Sequence, residues 1–62
     1  MPVHNDLYRA WRARSPVKLR LLDGREVEGR IDRLNGTLTV VVAATTGEVE
    51  LLQRDIRYVL VR

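Results

Sequence analysis

Two periodicities divide the chain. Before Pro16 the apolar residues recur at helical spacing: Leu7, Ala10 and Trp11 share one face, and Arg9 and Arg12 fall off it. Asn5 is a candidate N-cap, Asp6 suits the first turn, and Arg14 suits the last, where a cation complements the helix dipole. Ser15-Pro16 ends the segment, because proline disfavours the α conformation in the residue before it. The pattern predicts a helix over about residues 5–14, after a lead-in over 1–5 that leaves His4 in a mobile terminus. About ten residues make a marginal helix alone, so the Leu7/Trp11 face has to dock on something.

From Val17 the period becomes two. Val17, Leu19 and Leu21 face one way, Lys18 and Arg20 the other. Asp23-Gly24 predicts a two-residue hairpin turn with positive φ at both positions. The return strand sets Val27, Gly29 and Ile31 against Glu26, Glu28 and Arg30, and a glycine in mid-strand signals a bend or a close backbone approach. After Ile31 the next apolar residue is Leu34, a slip that predicts a bulge near Asp32-Arg33. Asn35-Gly36 is the second turn, residues 37–42 read as a strand buried on both faces, and Thr45-Thr46-Gly47 is the third turn. Residues 48–53 and 56–61 are two more short strands, interrupted by Arg54-Asp55. The fold class is therefore mainly β: a short N-terminal α-helix, then a five-stranded, strongly bent antiparallel sheet forming a small barrel over about residues 16–61. Residues 1–62 are expected to form one domain.

Composition narrows the function. The chain has no cysteine and one histidine, which excludes disulfides, thiolate zinc sites and histidine-rich metal sites, so no metal or cofactor is expected. The longest apolar run, residues 40–44, is far short of the roughly 20 residues of a membrane-spanning helix. No signal peptide fits the N-terminus, so a cytoplasmic location is expected. A chain this short, without disulfide or metal, is commonly stabilised by self-association. The net charge of +3 is uneven: residues 1–20 carry five basic residues against Asp6, whereas residues 21–62 carry six against seven acids. A basic N-terminal third suits a polyanion partner, or solubility alone.

Catalysis is not expected, and neither is a small-molecule substrate. Ser15 is the only serine and His4 the only histidine, and no positioned pair follows from their spacing. Glu26/Glu28 and Glu48/Glu50 sit at i,i+2 on solvent-facing strand sides, and no glycine-rich phosphate loop exists. Trp11 and Tyr8 with Arg9 and Arg12 either anchor the helix to the barrel or form a stacking and phosphate-binding surface. Tyr58 reads as core or subunit interface before base stacking.

The helix over residues 7–14 with its basic end, Pro16-Val17, Asp23-Gly24, Gly29-Arg30-Ile31 and the closing strand over 56–61 together resemble the Sm-like, SH3-like small-barrel fold. The nearer resemblance is to its bacterial branch, the Hfq family, over roughly residues 5–61. It implies a homo-oligomeric ring, usually a hexamer, closed by pairing the last two strands of neighbouring subunits, and binding of single-stranded RNA. Three places follow from it. The pore-side pocket resembles Asn35-Gly36-Thr37, where family members place a glutamine and an aromatic or histidine, together with Gln53-Arg54 in place of a Lys-His pair. Here no ring is supplied, and Arg54 is left to meet phosphate or to pair with an acid such as Asp55. On the opposite face a Tyr, a Lys and a Gln are replaced by Arg20, Glu26 and Glu28, and carboxylates repeated around a ring repel phosphate. The outer rim keeps its basic character in Arg12 and Arg14, with Arg9 near them. The expected function is a ring-forming RNA-binding protein that contacts phosphates at rim and pore. The alternative is an oligomeric interaction or structural scaffold with no nucleic-acid role.

Overall fold

The computed structural model describes residues 3–62. In chain order it contains α1 (Val3–Ala13), β1 (Pro16–Leu21), β2 (Glu26–Asn35), β3 (Thr39–Ala44), β4 (Gly47–Leu52), a 3-10 turn (Gln53–Asp55) and β5 (Ile56–Val61). All pairings are antiparallel in the order β4-β3-β2-β1-β5, the mostly-β architecture that the alternation predicts.

The helix starts earlier than expected. It includes Val3 and His4, so His4 is in its first turn and not in a loose lead-in; residues 1 and 2 of that lead-in lie outside the described residues. The helix also stops earlier, at Ala13, and Arg14 is the first residue beyond it, with φ +55°. The Arg14 N–H donates to the Trp11 carbonyl (3.1 Å) and the Ser15 N–H to the Ala10 carbonyl (3.0 Å), the two bonds of a Schellman cap. Glycine is the usual residue at that left-handed position. An arginine there costs about 1 kcal/mol of backbone strain.

β1 buries Val17, Leu19 and Leu21 as the alternation requires. The turn after it differs from the two-residue form. Only Gly24 has positive φ (+93°); the Leu21 N–H donates to the Arg25 carbonyl (2.8 Å) and the Gly24 N–H to the Leu21 carbonyl (3.0 Å). Residues 22–24 thus make a three-residue loop with glycine at its left-handed position. In β2 the register shifts between Ile31 and Arg33, the bulge that the slip in alternation indicates. Gly29 marks a close approach: a Cβ there would lie 2.9 Å from the Ala43 carbonyl carbon and closer still to its oxygen.

β3 buries Thr39, Val40, Val41 and Val42 in succession, as a strand covered on both faces must. It begins at Thr39 and not at Thr37, because residues 36–38 close a turn in which the Leu38 N–H donates to the Asn35 carbonyl (3.1 Å). β4 ends at Leu52, which moves Gln53 out of the strand and into the 3-10 turn. The core is aliphatic: α1 lays Leu7 and Ala10 on Val17, Leu19, Leu21, Ile31, Val40, Val42 and Ile56, with Trp11 packed half-buried against them. Two strands, β4 and β5, are hydrogen-bonded on one side only. Among the described residues, no helix is long and apolar enough to cross a membrane.

Candidate nucleic-acid interface

Of the residues singled out from the sequence, Thr37, Gln53 and Arg54 line one depression and Arg12 and Arg14 another, at opposite ends of α1, while Asn35, Gly36 and Arg9 line neither. The inner one has a volume of about 540 Å³ and is lined by Thr37, Gln53 and Arg54 together with Val3, His4, Leu22, Ile56 and Arg57. The 3-10 turn builds it. The Leu22 N–H donates to the Asp55 carbonyl (2.9 Å) and the Gln53 N–H to the Leu38 carbonyl (3.0 Å), clamping the turn between two loops.

Gln53 is the clasp of this region. Its side chain is buried, and its Nε2 donates to the carbonyls of Gly36 (3.0 Å) and Thr39 (2.8 Å). Its Oε1 lies 3.0 Å from Nδ1 of His4, so that ring nitrogen carries the proton and donates. Every group of the amide is engaged within the protein, which leaves Gln53 to shape the pocket. Asn35 and Gly36 act through their backbone: one carbonyl caps the turn and the other receives Gln53, while Gly36 supplies positive φ (+57°). Thr37 offers a hydroxyl and no ring. Arg54 is exposed and forms no ion pair with Asp55 or any other acid among the described residues. His4 and Arg57 were not selected by sequence. Arg57 was signalled by its position one residue after buried Ile56, and His4 by its spacing of four residues from Tyr8.

The outer depression, of about 510 Å³, is lined by Trp11, Arg12, Arg14, Ile31 and Asp32. Trp11 anchors the helix: its Nε1 donates to the carbonyl of Asp32 (3.1 Å), the residue at the β2 bulge. Arg12 donates through Nη1 to the Tyr8 hydroxyl (3.1 Å), with its guanidinium carbon 5.9 Å from the Tyr8 ring centroid. Arg9 is exposed on α1 and lines neither depression.

On the strand face, the carboxylates expected to repel phosphate have cations of their own. Arg20 binds Glu26 through Nε (3.1 Å), Lys18 lies 3.7 Å from Glu26, and Arg62 lies 2.9 Å from Glu28. The hydrogen bond from Arg20, and then its charge, hold the Glu26 carboxyl below the usual range, and Glu26 raises Arg20 in return. Asp23 is likewise held low, first by the Arg25 backbone N–H and then by the Arg25 guanidinium. Lys18, Arg20, Arg25 and Arg62 are in ion pairs; Arg9, Arg12, Arg14, Arg54 and Arg57, on or beside α1, and Arg30 and Arg33, on β2, are in none among the described residues.

The backbone as a whole is the Hfq/Sm-like fold. Among solved structures it is similar to an Hfq protein from Anabaena sp., with a TM-score of 0.76 and 21% identity, covering 98% of this chain and 97% of that one. It is also similar to a structure described as the pleiotropic translational regulator Hfq, with a TM-score of 0.83 and 15% identity, covering 95% of this chain and 88% of that one. No family model matches the sequence, and no curated protein matches it.

Proposed function

We propose that the chain is a ring-forming protein that binds single-stranded RNA through phosphate contacts at the inner and outer depressions. The observation that carries this reading is the division of the cations. Seven arginines have no acidic partner among the described residues, and five of them lie on or beside α1, the other two being Arg30 and Arg33 of β2, whereas Lys18, Arg20 and Arg62 are held by Glu26 and Glu28. Guanidiniums free of ion pairs along one helix are what a polyphosphate needs, since each can take a phosphate without first breaking an ion pair. The Hfq-like fold supports the same reading.

The ring follows from the sheet. β4 and β5 each leave one backbone edge open, and β5 exposes Tyr58, Leu60 and Val61 beside it. Open edges flanked by apolar side chains favour pairing with another copy. Joining β4 of one copy to β5 of the next removes every edge when the circle closes, and six copies is the number proposed. In such a ring the two depressions recur on each subunit, one toward the pore and one at the rim.

Fluorescence anisotropy with U-rich and A-rich oligoribonucleotides at two salt concentrations tests the reading. Binding that weakens steeply with salt is expected. Arg12→Ala combined with Arg14→Ala should lower the slope of log K against log salt by about 1.4, roughly 0.7 per phosphate contact on a single strand. Arg54→Ala should weaken U-rich binding if the pore is used. Absent or salt-independent binding overturns the reading in favour of a structural scaffold.

A further inference from the structure

We propose that the outer face of α1 is a track for single-stranded RNA joining the two depressions, with Tyr8 as the platform on which a base stacks. This rests on the reading of the chain as an RNA-binding protein and adds a route and a base contact to it.

His4, Tyr8 and Trp11 stand at i, i+4 and i+7, a single stripe along the helix. Their rings follow one another with centroids 6.3 Å apart from His4 to Tyr8 and 5.8 Å from Tyr8 to Trp11. The stripe has a cationic depression at each end: His4 lines the one that holds Arg54 and Arg57, and Trp11 the one that holds Arg12 and Arg14. Each terminal ring is committed to the protein, His4 through Gln53 and Trp11 through the Asp32 carbonyl. Tyr8 in the middle is different, being 42% exposed. Arg12 donates to its hydroxyl and places a cation 5.9 Å from the ring centroid, close to the ring on which a base would stack and so available to that nucleotide's backbone phosphate. Together α1 and the outer groove carry two carboxylates, Asp6 and Asp32, against the three arginines Arg9, Arg12 and Arg14.

With one ring open for stacking, the track takes a strand that presents an unpaired base to Tyr8, which a single strand does and a duplex does not. It supplies within each subunit the base contact that Thr37 and Gly36 lack at the inner depression.

The test uses a labelled oligouridylate and an abasic ribose-phosphate strand of equal length, with the intact protein and the variants Tyr8→Leu and Tyr8→Phe. Tyr8→Leu should weaken oligouridylate binding about ten-fold, within the range found for loss of one base–aromatic stack. Tyr8→Phe should leave it unchanged, and the abasic strand should bind all three proteins alike. Trp11, the only tryptophan, gives a readout that needs no variant: its emission should change more with oligouridylate than with the abasic strand, because only the former places a base beside the neighbouring Tyr8 ring. Equal affinity of Tyr8→Leu and the parent for oligouridylate, an equal loss with the abasic strand, a Tyr8→Phe loss matching that of Tyr8→Leu, or an identical Trp11 response to both strands overturns the track. Failure of the parent to bind either strand overturns the RNA reading itself.

Discussion

Gln53 and Arg14 show how single residues here serve the site by being expensive to place. Gln53 buries an amide and satisfies it with two carbonyls and a histidine, tying α1, the β2–β3 turn and the 3-10 turn together. Replacement by Met keeps the volume and strands both carbonyls without donors. Gln53→Met should therefore cost about 2 kcal/mol in urea or thermal unfolding. Loss of stability below a few tenths of a kcal/mol would show that the clasp is not formed. Arg14 holds a left-handed conformation that glycine adopts freely. Arg14→Gly should raise stability by about 1 kcal/mol while weakening RNA binding. A variant that is both less stable and equally tight in binding would contradict the role given to that residue.

At the scale of elements, strands were read well wherever the rule was local. The slip from Ile31 to Leu34 located the bulge, and Gly29 marked the contact with Ala43. Gly29→Ala places a Cβ against backbone that cannot retreat, so the sheet should lose about 3 kcal/mol, or fail to form, as judged by circular dichroism and unfolding. Near-parental stability would mean that β2 and β3 are further apart than described. Other elements depended on distant partners and were not legible. The start of β3 at Thr39 follows from a turn that spends Thr37 and Leu38, and the burial of Gln53 follows from carbonyls 14 and 17 residues away. Helical spacing identified the Leu7/Trp11 face but not the start of α1 at Val3, because His4 is held there by Gln53, 49 residues on. Of the proposed site, the arginines were legible as charge, whereas their freedom from ion pairs required the fold.

At the scale of the molecule, two asymmetries point the same way. Most of the positive charge without partners, five arginines of seven, lies on or beside α1, and apolar side chains without cover collect along β5. The proposed ring would cover the second and repeat the first on every subunit, so that weak phosphate contacts on one chain would become a multivalent surface with one Tyr8 track per member.

The mass of the protein in solution tests this account most directly. Light scattering on the purified chain at micromolar concentration should give a species of about six copies of the 7.2 kDa subunit. A folded species with the mass of one chain would contradict it, leaving both sheet edges open and the shared RNA surface unbuilt.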